Sequence, residues 1–105
     1  MYILITAAAS SDAYSLKNTL NTDDILLGDY FELPDLLIQS GKVLRLPDPE
    51  SIAYTHQMLA LCLDRDIDTV YALREPEKQL LLSARQLFQE YNIKIQSTDD
   101  KIHGH

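Results

Sequence analysis

Short, continuous apolar runs alternate with helically spaced ones along this chain, and that alternation leaves few folds open. The runs are Tyr2–Thr6, Ile25–Leu27, Val43–Leu46, Thr69–Leu73 and Ile93–Ile95. A strand apolar at successive positions is buried on both faces, as the strands of parallel sheets are. Between the first pair of runs, Ala13, Leu16 and Leu20 recur at i, i+3 and i+7 on one face of a helix. That helix begins near Ser11, with Ser10 or Ser11 as its cap and Asp12 at the positive end of its dipole. Asn21-Thr22-Asp23-Asp24 ends it, and Gly28-Asp29 closes the short strand that follows.

Pro34 fits the first turn of a short helix over Asp35–Gln39 that Gly41 stops. Pro47-Asp48-Pro49 ends the third strand, since proline cannot donate to a ladder. A helix from Glu50 to Asp64 then places Ile52, Leu59 and Leu63 on one face, with Met58 and Cys62 alongside. Arg74-Glu75-Pro76-Glu77 opens another, whose core face is Leu80, Ala84, Leu87, Phe88 and Tyr91. Strands separated by helices are βαβ units, and βαβ units make a mostly parallel sheet. The expected fold is a three-layer α/β/α sandwich with five strands in the order 3-2-1-4-5, ahead of the order 2-1-3-4-5. Residues 1–97 form one domain in this reading, and 98–105 a polar tail.

Composition removes several function classes. With 16 acids against 9 bases the net charge is −7, which repels nucleic-acid phosphates and anionic membrane surfaces. The longest apolar run, Met58–Leu63, is far too short to span a bilayer. The N-terminus lacks a basic region and reads as a strand, not a signal peptide. One cysteine cannot form an internal disulfide, so a cytoplasmic, reducing setting is expected.

Ligands of parallel sheets bind beyond the strand C-termini, at the point where the strand order reverses. That edge gathers Ala9-Ser10-Ser11, Gly28-Asp29-Tyr30, Pro47-Asp48 and Arg74-Glu75. Ser10, Ser11, Asp29, Asp48, Arg74 and Glu75 are therefore the candidate ligand residues, suited to a small carboxylate or an amino-acid-like molecule. The plainer reading makes Ser10 and Ser11 helix caps and pairs Arg74 with Glu75, Glu77 or Asp29. Tyr14, Tyr30 and Tyr54 either line this edge or a partner surface, or close the core.

No catalytic group, metal site or cofactor is expected. Glycines spaced for a dinucleotide are missing after the first strand, where Ala7-Ala8-Ala9 stand, and no phosphate-binding Gly-Lys-Ser or Gly-Lys-Thr occurs. Cys62 falls mid-helix among leucines and reads as a core thiol, while His56 reads as an exposed helix residue. Asp64, Arg65, Asp66 and Asp68 lack calcium-loop spacing and read as a solvated turn.

Taken in order, these elements resemble the N-terminal, pre-ATP-grasp domain of ATP-grasp ligases, in the carbamoyl-phosphate-synthase-like style. The resemblance is carried by Ile3-Leu4-Ile5-Thr6-Ala7, by the short second strand before Asp29, and by Pro47-Asp48 ahead of a helix ending at Asp64–Asp68. Arg74-Glu75-Pro76-Glu77 and Tyr91-Asn92-Ile93-Lys94-Ile95 complete it, over roughly Met1–Ser97. It implies a Rossmann-like domain that forms one wall of a substrate site, while later domains of those ligases hold ATP and magnesium. It therefore implies no ATP-grasp catalysis by this stretch alone. The expected function is a non-catalytic, stand-alone domain that binds a partner protein or itself as a homodimer. The alternatives are a substrate-side part of an ATP-grasp ligase and a small-ligand sensor at the strand C-terminal edge.

Overall fold

A computed structural model of the chain describes residues 1–7, 11–20, 22, 24–30, 39 and 43–97. Its elements run β1 (Tyr2–Ile5), α1 (Ser11–Leu20), β2 (Ile25–Asp29), β3 (Val43–Arg45), α2 (Tyr54–Asp64), β4 (Ile67–Tyr71), α3 (Glu75–Ser83), α4 (Arg85–Gln89) and β5 (Lys94–Gln96). The five strands form one sheet in the order β3-β2-β1-β4-β5. Every pairing in it is parallel. This is the expected α/β class and the expected strand order.

Strand alternation divides the core between the two faces. Leu4 stands level with Leu26 and Val70, and Val70 with Ile95. This row packs with Met58, Leu59 and Cys62 of α2, Leu81 of α3 and Phe88 of α4. The opposite row, Ile5, Leu27 and Val43, packs with Ala13 and Leu16 of α1. The chain thus leaves β1 toward one face and β4 toward the other, which opens a crevice between their C-terminal ends.

Gly28 lies inside β2 and does not close it. A Cβ there would meet Leu46 Cδ2 at 2.7 Å and Cγ at 2.9 Å, so the Leu46 side chain occupies the space that any larger residue would need.

Several helix expectations need correction. The helix expected from Glu50 begins at Tyr54, because Asp48 and Ser51 first draw the chain into turns. The Asp48 carboxylate accepts from the Glu50 N–H at 2.9 Å, and the Ser51 hydroxyl from the Ala53 N–H at 3.2 Å. Ile52 is consequently fully exposed and Leu63 half-exposed, while Tyr54, Met58, Leu59 and Cys62 form the buried face. The expected helix after Arg74 breaks at Ala84, whose backbone leaves helical values (φ −100°, ψ 13°). Leu81 and Phe88 carry its burial, Leu80, Ala84 and Leu87 pack at the margin, and Tyr91 lies beyond α4, half-exposed.

Strand boundaries shift by one or two residues. Asp66 takes a left-handed turn (φ 58°) directly after α2, so β4 begins at Ile67 and ends at Tyr71. Asn92 (φ 62°) makes the same kind of turn before β5, a conformation asparagine tolerates well. The helix expected over Asp35–Gln39 and its Gly41 stop lie outside the described residues, Gln39 apart, as do Ala8, Ala9, Ser10 and the tail 98–105.

Candidate functional site

The crevice between β1 and β4 is built around charged groups withdrawn wholly or partly from water. Asp29 is the last residue of β2 and is fully buried. Its backbone carbonyl accepts from the Leu46 N–H at 2.8 Å, which extends the β2–β3 ladder past the strands and fixes where the side chain points. Arg74 is the extended residue that caps α3 (φ −87°, ψ 138°), and Pro76 in the first helical turn suits that start.

From these positions the two side chains meet fork to fork. Arg74 Nε donates to Asp29 Oδ1 at 3.0 Å and Nη2 donates to Oδ2 at 2.8 Å. Asp29 Oδ1 also accepts from the Tyr30 N–H at 2.9 Å. The guanidinium carbon sits 5.7 Å from the centre of the Tyr30 ring, within cation–π range. The hydrogen bond to Asp29 is the main reason the Arg74 guanidinium is held still more firmly in its charged form. With Asp29 fully buried and Arg74 partly exposed, this bidentate charge-assisted pair is among the stronger polar contacts a fold can make.

A second acid shares the crevice. Glu77, in the first turn of α3, is fully buried. The Tyr54 hydroxyl donates to its Oε2 at 3.0 Å, and among the described residues no group hydrogen-bonds its buried Oε1. Burial pushes the Glu77 carboxyl up to about 7; the Tyr54 and Thr6 hydroxyls and the nearby Arg74 charge pull it down, while the Asp29 charge adds to the rise. Burial first and the Glu77 charge second push the Tyr54 phenol far above its ordinary range, so it stays a donor. Thr6, just past β1, closes the ring: its N–H donates to the Tyr71 carbonyl at 3.1 Å, and its hydroxyl accepts from the Leu73 N–H at 2.9 Å. Ala7, next in the chain, is buried with a left-handed backbone (φ 60°), the conformation a glycine supplies without strain.

The sequence-derived candidates divide. Asp29 and Arg74 are brought together, as one of the plainer pairings anticipated. Glu75 points outward to Lys78, with 3.2 Å between charged atoms. Ser11 is the exposed first residue of α1. Asp48 stands apart, in an open cleft of about 490 Å³ between the end of β3 and α2, with Arg45, Ser51, Gln57 and Leu61 on its walls. Thr6, Tyr54 and Glu77 belong to the crevice although sequence reasoning did not place them there together. Glu77 sits three residues past a helix cap, where an acid ordinarily serves the helix dipole in water. Tyr54 carried a fainter signal, its i, i+4 and i+8 spacing to Met58 and Cys62.

Other reactive groups are spent or remote. Cys62 is fully buried, and burial pushes its thiol up to about 12. His56 is exposed on α2. Among the described residues no three His, Cys, Asp or Glu side chains are grouped to hold a metal, and no helix is long and apolar enough to cross a membrane. No protein-family model matches the chain, and no curated protein matches it significantly.

The Glu77 carboxyl makes stability depend on pH in a fixed direction. Its value is 4.5 in the unfolded chain and about 7 in the fold, so its contribution is complete below pH 4.5 and is lost as pH climbs to 7. The loss is at most about 3 kcal/mol. Urea unfolding across this window checks it: Glu77→Gln matches the parent near pH 5 and exceeds it at pH 8, and the parent alone weakens in between.

Proposed function

We propose that this chain is a non-catalytic binding domain of the pre-ATP-grasp kind, which works by associating with another protein surface. The observation that carries the reading is the mutual pairing of Asp29 and Arg74. The strongest anion-binding and cation-binding groups at the ligand edge face one another, so neither is poised for a reacting substrate. The all-parallel sheet in the order β3-β2-β1-β4-β5 supports the likeness to the ligase N-domain.

The opposite end of the sheet supports association. Helices return antiparallel to the strands they connect, so helix C-termini and strand N-termini share an end. Met1 and Tyr2 at the start of β1, Leu63 at the end of α2 and Tyr91 beyond α4 all fall at that end. Their exposures are 75%, 39%, 51% and 48%. The strands they precede, β1, β4 and β5, are neighbours in the sheet. Apolar groups gathered on one end of a domain mark an interaction surface.

A second copy of the chain is the partner to test first. Sedimentation equilibrium over rising concentration is expected to show a dimer that tightens with added salt, because each copy carries −7 and salt screens that repulsion. Leu63→Glu is expected to weaken it by about tenfold or more. A chain that stays monomeric, or a dimer indifferent to Leu63→Glu, contradicts the reading.

The cleft at the end of β3 favours a second reading, a sensor of small amino-acid-like molecules. Arg45 and Asp48 line it without pairing to one another, offering opposite charges to a zwitterion. Thermal unfolding with free amino acids and small carboxylates tests it. A rise in Tm that disappears in Arg45→Ala supports the sensor, and no rise with any of them removes it.

A further inference from the structure

The crevice at the strand C-termini does not balance its charge as it stands ionised. Every described element packed around Glu77 contributes to the count. The end of β1 supplies the neutral Thr6 hydroxyl, and α2 supplies the neutral Tyr54 phenol and Cys62 thiol. The end of β2 supplies the Asp29 carboxylate and the Tyr30 phenol, and the start of α3 supplies Arg74. Lys78 and Glu75 form an ion pair at the rim. The Arg74 guanidinium is already committed bidentately to Asp29. A protonated Glu77 leaves one cation facing one anion, whereas an ionised Glu77 adds an uncompensated charge out of reach of water. Its Oε1 points the same way: among the described residues no donor meets it at hydrogen-bonding distance, and a carboxylate wants more than the Tyr54 and Thr6 hydroxyls beside it.

We propose that Glu77 is a proton-operated latch on the Asp29–Arg74 pair. Protonated, it lies in the core as a neutral group and leaves Arg74 to Asp29. Ionised, it draws the guanidinium three residues back along the chain toward itself and slackens its hold on Asp29. Arg74 lies within electrostatic range of Glu77, since it caps the helix whose first turn carries that acid and the two charges already act on one another. What slackens is the end of β2. Tyr30 is tied there by its N–H to Asp29 and lies under the guanidinium, so it moves with the pair. The latch makes the strand C-terminal edge closed in mildly acidic solution and more open at neutral pH and above. It rests on the crevice geometry and is independent of the association surface at the other end.

NMR titration of the intact chain between about pH 5 and 9 tests the latch. Three signals are followed: the Glu77 side-chain carboxyl carbon, the Arg74 Nε–Hε pair and the Tyr30 amide. The expected result is one shared midpoint near 7, as burial of Glu77 requires. In Glu77→Gln the Arg74 and Tyr30 signals are expected to lose that transition. Tyr54→Phe removes a donor that favours the ionised form, and is expected to move all three midpoints upward together. This second variant keeps the test decisive if Glu77→Gln fails to fold. The latch is overturned if Arg74 and Tyr30 stay flat while Glu77 titrates, if their transition survives in Glu77→Gln, if Tyr54→Phe separates the midpoints, or if Glu77 titrates in the ordinary carboxylate range.

Discussion

A charged carboxylate buried without a partner would cost the domain more than most folds can bear, and Asp29 is such a carboxylate but for Arg74. The pair joins the end of β2 to the start of α3, elements that the sheet order keeps on either side of β1. Much else at this edge is arranged around it. Tyr30 is oriented by Asp29, α3 starts where Arg74 must stand, and the Leu46 N–H fixes the Asp29 backbone. Such a pair stabilises less through its own attraction than through the penalty of breaking it, because removal of one partner strands the other charge.

Glu77 turns this structural tie into something that responds to its surroundings. Burial favours its neutral form while the Tyr54 and Thr6 hydroxyls favour the ionised one, which holds it close to the balance between the two. A fully satisfied carboxylate would remain charged, and an apolar residue would never titrate. The same crevice that in related architectures faces a ligand is here filled by the protein's own groups, and its open property is a proton equilibrium. The association surface we propose lies at the opposite end of the sheet, where Tyr2, Leu63 and Tyr91 stand exposed.

The sheet order was legible because buried parallel strands leave an unmistakable run of apolar residues, and right-handed crossovers restrict how such runs connect. Helix faces were less so. Ile52 and Leu63 have the right spacing for a core face, but the Asp48 and Ser51 turns delay α2 and rotate Tyr54, Met58 and Cys62 inward instead. The site was legible in half. Strand-end position put Asp29 and Arg74 on one edge, and their pairing followed as an ordinary option for opposite charges. Glu77 was opaque for a physical reason: an acid in the first turn of a helix is nearly always a solvated dipole partner, and only tertiary packing against Tyr54 makes it a core residue. Leu81 was missed likewise, since the break at Ala84 divides what periodicity treats as one helix.

The Asp29–Arg74 tie holds the switch point together, and a double-mutant cycle measures its strength. Asp29→Asn, Arg74→Met and the combined variant are compared with the parent by urea unfolding near pH 6. Arg74→Met is predicted to cost about 3 kcal/mol or more, because it strands the fully buried Asp29 carboxylate, and Asp29→Asn less, because the Arg74 guanidinium keeps contact with water. The combined change is predicted to cost clearly less than the two singles added together, by about 1–3 kcal/mol. Additive losses, or an Arg74→Met loss below about 1 kcal/mol, would show that the two groups stand side by side without depending on each other.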